Sequence, residues 1–257
     1  MIIAGIDMGV QNTRAVIIKD NVVIGRGAAP TGGIDRPEMA MKAYEDALSA
    51  AGIAAGDVSK VYATGKGKFD VAFADAVLTE TVAAARAARF YFPEATAVFS
   101  VGADETLAAA LGRERLISEF VLNQKCSAGL GIFITYLARR LGMTMAQAAA
   151  VDVADACAVN DGCVVFAELD ALSMMNSGED ADAIMAAAIK AVAVRAATVL
   201  CDLTAPVGDK VVLVGGFTQS PAFLKALSSC MGREFLVPDD AEFCGAVGAA
   251  LAGAEAE

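Results

Sequence analysis

Apolar residues fall along this chain in two alternating rhythms. IIAGIDMG (residues 2–9) reads as an apolar strand ending in an acidic, glycine-containing turn. RAVIIKD (14–20) and NVVIGRG (21–27) are apolar or alternating runs around Asp20-Asn21, a pair suited to a tight hairpin. Residues 35–51 switch to helical spacing, with Met39, Ala43, Ala47 and Leu48 on one face. KVYATG (60–65) returns to strand, and a helix over about 78–92 stops at Pro93.

The rhythm then restarts. ATAVFSVGADE (95–105) is again an apolar strand running into glycine and acids, and TLAAALG and LISEFVLN flank a turn at 112–115. The pattern predicts helices at about 128–142, 164–177 and 180–204, then a strand at 210–216. A helix at 220–231, a short strand at 234–238 and a final helix at 243–253 complete the chain. Two halves that each open with strand, acidic glycine turn and hairpin imply an internal duplication. No Pro- or Ser-rich linker separates them. An α/β fold is therefore expected, with halves of about 1–93 and 94–257 around a shared cleft and a final helix able to pack back on the first half.

Composition narrows the classes. The 257 residues suffice for a full core, and 56% are apolar. No run of about 18 uninterrupted apolar residues occurs, so no membrane span is expected. The opening MIIAGIDMG meets an acid at Asp7 and has no basic start, unlike a signal peptide, and a cytoplasmic location is expected. The net charge of −11 argues against a nucleic acid or an anionic membrane as partner. Histidine is absent, which removes the commonest general base and the usual zinc ligand. Six cysteines in a reducing compartment are expected to be unpaired.

Asp7-Met8-Gly9 puts a carboxylate and a tight turn at a strand end. That arrangement suits Mg²⁺ held beside backbone amides that meet phosphate, and it equally describes an ordinary strand–turn. VLVGGF (212–217) is a strand followed by Gly215-Gly216, which lets the backbone approach a nucleoside. Neither G-x-x-x-x-G-K-[ST] nor a strand-embedded G-x-G-x-x-G is present, so Walker and Rossmann binding are unsupported. With its duplicated halves the chain resembles the sugar kinase, Hsp70 and actin superfamily, which closes two RNase H-like halves over ATP.

Cys126, in NQKCSAGLGIF (123–133), follows Lys125 and precedes the helix expected at 128–142. Cys163, in NDGCVVFAELDALS (160–173), repeats the arrangement of polar glycine turn, cysteine and apolar helix. Both settings favour thiolate, the metal-binding form, although buried structural thiols are also common. Two chains related by a two-fold would bring four such sulfurs together, the ligand number of a four-iron four-sulfur cluster. Cys157, Cys201, Cys230 and Cys244 stand in helical or apolar contexts and are expected to pack in the core.

These two segments resemble the signature stretches of the ATP-dependent activators of 2-hydroxyacyl-CoA dehydratases, a family that includes the ATPase subunits of benzoyl-CoA reductase. GIDMG, ATGKGK (63–68), SVGADE (100–105), VGGF (214–217) and FCGAVGAALAG (243–253) extend the likeness over the whole chain. The resemblance implies a homodimer, or a dimer of related subunits, with one 4Fe-4S cluster on the two-fold held by Cys126 and Cys163 of each chain. It implies ATP/ADP and Mg²⁺ between the halves, with Asp7, Ser100 and Asp104 at the catalytic positions and Asp7 holding Mg²⁺ through water. Gly9, Asn12, Thr13, Arg14, Gly102, Gly129, Gly215 and Gly216 would meet the nucleotide. ATP hydrolysis would then drive a low-potential electron from ferredoxin or flavodoxin, through the cluster, to an acceptor reductase or dehydratase acting on CoA thioesters.

Some positions depart from the family pattern. Val10, Gln11 and Arg14 stand where Ser, Thr and Lys are common, and Ser100 stands where the second turn usually begins with Asp. Asp104 and Glu105 occupy places more often Gln and Asp. ATP binding is the firmer expectation and fast hydrolysis the weaker one. A benzoyl-CoA reductase subunit is slightly favoured over a dehydratase activator, because a sister subunit would tolerate the altered turn; a double-cubane reductase partner is a further option. A small-molecule kinase of the same superfamily and a non-catalytic nucleotide-binding subunit are the other readings.

Overall fold

The computed structural model describes residues 1–32, 35–123 and 130–255. Strands β1 (Ile2–Met8), β2 (Asn12–Lys19) and β3 (Val22–Pro30) form an antiparallel meander. Its second turn is Asp20-Asn21, both at positive φ, the backbone that a tight two-residue hairpin requires. Helix α1 (Arg36–Ala51) lays Ala40, Ala43, Tyr44, Ala47 and Leu48 on this meander and ends at Gly52 in the left-handed region. β4 (Lys60–Thr64) then returns parallel to β1, and a two-residue strand, β5 (Ala76–Val77), extends the edge. The sheet order is β3-β2-β1-β4-β5.

The second half repeats this plan. β6 (Ala97–Val101), β7 (Thr106–Ala110) and β8 (Glu119–Leu122) form a meander, and β9 (Val211–Val214) runs parallel to β6, giving the order β8-β7-β6-β9. Each half therefore opens with a meander whose first strand takes a later strand in parallel, the arrangement expected of a duplication.

Two helices cross over between the sheets. α2 (Glu80–Tyr91) starts at the Thr79 cap and packs on β6 and β7 of the second sheet. α8 (Cys244–Glu255), the last helix, packs on β1, β4 and β2 of the first sheet, and α2 lies against α8. Ala84, Ala85, Ala87 and Ala88 meet Ala246, Val247 and Ala250 in a core that also takes Ile3 from one sheet and Val98 from the other. The alanines bring the helix axes close, and this shared core fixes the two sheets about the space between them.

Helices α3 (Gly131–Arg140), α4 (Met145–Ala149), α5 (Val164–Asn176), α6 (Ala181–Cys201) and α7 (Pro221–Met231) belong to the second half. α6 is capped by Asp180, whose carboxylate accepts the Ala183 amide at 2.8 Å. α6 is long and apolar enough to cross a membrane, yet 78% of that stretch is buried in this fold, as the core helix of the second half. The short strand expected at 234–238 is a single bridge, Val212 to Leu236, and β5 and α4 are too short to have shown a period.

Candidate nucleotide cleft and cysteine turn

A cleft of about 820 Å³ lies between the two sheets, and Asp7, Gly9, Asn12, Arg14, Ser100, Gly102, Asp104, Gly215 and Gly216 all line it. Asp7 on β1 faces Arg14 on β2 as a direct cross-strand pair. Side chains alternate along a strand, so this pair takes the cleft face while the next pair, Met8 and Thr13, takes the core face. Thr13 is consequently a correction. It is fully buried, its hydroxyl shares a hydrogen bond with Thr31 at 3.1 Å, and Thr31 donates to the Gly9 carbonyl at 2.8 Å. Thr13 braces the turn from below.

The glycine amides need the same correction. Gly9 N–H donates to the Asn12 carbonyl at 3.1 Å, Gly102 N–H to Glu105 at 2.8 Å and Gly215 N–H to Ala241 at 3.0 Å. These donors are already used in closing turns, so these glycines contribute close approach of the chain and not amide donors for phosphate. Gly129 and Cys126, both named from the sequence, lie outside the described residues.

Asp7 is gripped by two residues that sequence reading passed over. A Cβ on Gly65, which sits at φ +89°, would stand 2.5 Å from Asp7 Oδ1, and a Cβ on Gly245 would press well inside 3.0 Å of Oδ2. Only glycine leaves room for the carboxylate at either place. Gly245 is the second residue of α8, so the acid sits at that helix's positive end. Burial is the main influence on the acid and pushes its pKa up to about 6; Arg14 and Lys68 pull it down, and Glu80 adds to the rise. Part of the carboxylate remains open to the cleft. A carboxylate that lines the cleft and whose charged form is disfavoured by burial is a chemically suitable place for a divalent cation.

Charged groups ring the cleft mouth. Lys66, after β4, forms an ion pair with Glu105 of the second half, and Gln11 Nε2 donates to Thr135 Oγ1 on α3 at 3.0 Å. Burial lowers the Lys66 pKa, but the hydrogen bond and charge of Glu105, with Glu80 and Asp104, outweigh it and raise it overall. Lys68 pairs with Glu80 at 3.2 Å, and Arg139 and Glu242 stand farther along the lining. Lys66, Glu80 and Gly245 were legible only as parts of ATGKGK, of a helix start and of FCGAVG, with no spacing to mark them as site residues.

Cys163 caps the start of α5 and is partly exposed. Asn160 Oδ1 accepts the amides of Gly162 at 3.0 Å and Cys163 at 2.7 Å, and Asp170 accepts the Asn160 amide at 2.8 Å. Val165, Phe166 and Leu169 follow on α5, each more than half exposed. Cys244 is buried as expected, and burial, followed by Glu242, Asp240 and Asp7, pushes its thiol pKa far up. Cys157, Cys201 and Cys230 are corrections, since all three are exposed. Cys157 lies in the loop before α5, and Cys201 and Cys230 end α6 and α7 on the solvent side, where apolar neighbours in sequence gave a false core signal. Among the described residues no group of three or more His, Cys, Asp or Glu is placed to hold a metal ion.

The BadF/BadG/BcrA/BcrD ATPase family model matches residues 4–253. The chain belongs to that family. Within it, the chain is similar to the activator of lactoyl-CoA dehydratase of Anaerotignum propionicum, at 30% identity over 98% of this chain and 97% of the relative. It is also similar to a benzoyl-CoA reductase subunit of Thauera aromatica, at 30% identity over 84% of this chain and 79% of the relative. Among solved structures, the activator of 2-hydroxyisocaproyl-CoA dehydratase from Clostridium difficile with bound ADPNP aligns with a TM-score of 0.89 and 25% identity. That alignment covers 98% of this chain and 94% of the other. The fold is the two-sheet ATPase fold of the actin, Hsp70 and sugar kinase type, and family membership supports an ATPase of the activator kind.

Proposed function

We propose that this protein is an ATP-dependent activator that passes a low-potential electron to a dehydratase or reductase acting on CoA thioesters. The observation that carries the reading is the Asp7-centred cleft between duplicated sheets, in a chain that matches dehydratase activators end to end. Coverage of both partners is more complete for the activators than for the benzoyl-CoA reductase subunit, which favours a dehydratase as acceptor.

ATP would lie between Asp7, the Ser100–Asp104 turn and Gly215-Gly216. Asp7 would hold Mg²⁺ through water, and the ion would supply neutralisation of phosphate charge when bound. In hydrolysis a water oxygen bonds to the γ-phosphorus and the bond to the β–γ bridging oxygen breaks. Asp104 or Glu105, at the second turn, takes the water's proton. Ser100 supplies a hydroxyl where a carboxylate would orient that water more strongly, so turnover is slow.

Cys126 and Cys163 of two chains would hold one 4Fe-4S cluster. Cys163 fits a quarter of that set: a partly exposed thiol on a fixed turn. The cluster supplies one-electron storage at low potential when bound. Val165, Phe166 and Leu169 form an exposed apolar stripe on α5 beside Cys163, which supports a second copy of this chain as the group that covers it. Ferredoxin or flavodoxin would be the donor, and the compartment the cytoplasm. The deciding experiment is iron and sulfide analysis of anaerobically purified protein, with ATPase assayed with and without a dehydratase partner. One cluster per dimer and partner-stimulated hydrolysis are expected; iron-free dimers would overturn the electron-transfer reading.

A further inference from the structure

Among the described residues, Arg195 is the one charged side chain in the buried set, at 3% exposure in the middle of α6. Burying a guanidinium is unfavourable unless its donors are met, and one of those donors reaches the loop that carries Cys163. Arg195 Nε donates to the backbone carbonyl of Asp161 at 2.7 Å, two residues before Cys163. A second α6 cation, Lys190, donates to the Ala156 carbonyl in the same loop at 2.8 Å. Asn160 and Asp170 tie the loop from the α5 side, as described above. Arg195 therefore anchors from beneath a turn whose surface is closed by Asn160.

We propose that Arg195 is the positioning residue for Cys163: its buried guanidinium holds the Asp161 carbonyl, fixes the turn that presents the thiol, and places positive charge beneath it. The Nε–Asp161 bond crosses from the core helix to the cysteine turn, so the guanidinium ties the backbone that carries the thiol to the most buried helix of the second half. A cation is the better choice when negative charge is to be held nearby, as sulfur ligands and a reduced cluster would require. Positive charge there stabilises the reduced form and raises the reduction potential. The charge half of this inference rests on the cluster reading above; the positioning half does not.

The test uses the intact protein and the variants Arg195→Met and Arg195→Lys. Amide hydrogen exchange on cluster-free protein reads the turn directly. The Gly162 and Cys163 amides in Arg195→Met are expected to exchange about tenfold faster or more, as loss of a charge-assisted hydrogen bond implies, with α6 protection retained. Arg195→Lys is expected to fall between that variant and wild type. Wild-type exchange at these amides in folded Arg195→Met overturns the proposal; if that variant does not fold, wild-type exchange in Arg195→Lys overturns it equally. On cluster-loaded protein, the midpoint potential is expected to drop in Arg195→Met and to stay near wild type in Arg195→Lys, and an unchanged potential in Arg195→Met overturns the charge half. Absence of iron would defeat the cluster reading while the exchange result still decides the positioning role.

Discussion

Asp7 and Ser100 occupy the same place in two copies of one hairpin. Each stands two residues before a glycine whose amide closes the turn, Gly9 onto Asn12 at 3.1 Å and Gly102 onto Glu105 at 2.8 Å. Across the hairpin Asp7 pairs with Arg14 and Ser100 with Leu107, and in the parallel neighbour Asp7 pairs with Thr64 and Ser100 with Val214. Each parallel neighbour runs straight into a glycine at positive φ, Gly65 after β4 and Gly215 after β9. The second copy thus keeps the backbone and lacks the carboxylate.

Ser100→Asp should restore an acid facing the first one across the cleft. Basal ATP hydrolysis is expected to rise about tenfold, because a positioned carboxylate orients the attacking water and takes its proton. Ser100→Asn, which adds a neutral group of aspartate's size, is the control and should not rise. A vigorous wild-type rate, unmoved by the aspartate, would show that Asp104 or Glu105 already carries the proton.

Gly245→Ala is predicted to disable the cleft without removing a charged group. The added methyl would occupy the space of Asp7 Oδ2, and the neighbouring α8 backbone cannot yield because α8 is packed into the core shared with α2. Mg-ADP affinity is expected to fall by about tenfold or more, with a stability loss of about 1–3 kcal/mol from overpacking. Calorimetric titration beside thermal melts checks both, and wild-type affinity in a folded Gly245→Ala would refute the clamp.

The fold was largely legible because its signals are local. The Asp20-Asn21 hairpin, the Pro93 stop and the two strand–glycine–acid openings each carry their own turn chemistry, and the elements formed there. The site was legible along the strands but not across them. Asp7, Arg14, Ser100 and Asp104 reach the cleft, whereas the inward face of Thr13 follows from strand alternation that a motif reading ignored. Gly65, Gly245 and Glu80 come to Asp7 from three other elements, and Arg195 comes to the Cys163 turn from 32 residues away in sequence. Only tertiary packing brings such groups together.

The raised pKa of Asp7 makes a signed prediction. An acid that moves from an ordinary 3.8 to about 6 on folding favours the protonated form, so its contribution is present below about pH 4 and is lost as pH rises through 6. In metal-free protein, Asp7→Asn should therefore gain stability relative to wild type between pH 5 and pH 8, by about 1.4 kcal/mol of the roughly 3 kcal/mol that the whole shift carries. Mg-nucleotide binding to wild type should strengthen over the same rise, as the carboxylate loses its proton. Urea unfolding at the two pH values reads the difference, and parallel pH dependence in wild type and Asp7→Asn would show that Asp7 is not the titrating group.

Cysteine substitution separates the thiols by position. Cys163 sits on a turn fixed by Asn160 and Arg195 and opens α5, while Cys244 lies in the core, Cys157 is exposed earlier in the loop that leads to that turn, and Cys201 and Cys230 face solvent near the ends of α6 and α7. Cys163→Ser and Cys126→Ser are each expected to remove the visible-region iron–sulfur absorbance and to weaken the dimer, because each symmetric cluster would lose two of its four ligands. Cys157→Ala, Cys201→Ala and Cys230→Ala should leave iron content and melting temperature within error, exposed thiols having little packing to lose. Cys244→Ala should keep the iron and lose about 1–2 kcal/mol of stability, the cost of a small cavity. Iron retained in Cys163→Ser, or lost in any of the three exposed variants, would move the cluster to other ligands and undo the two-fold arrangement.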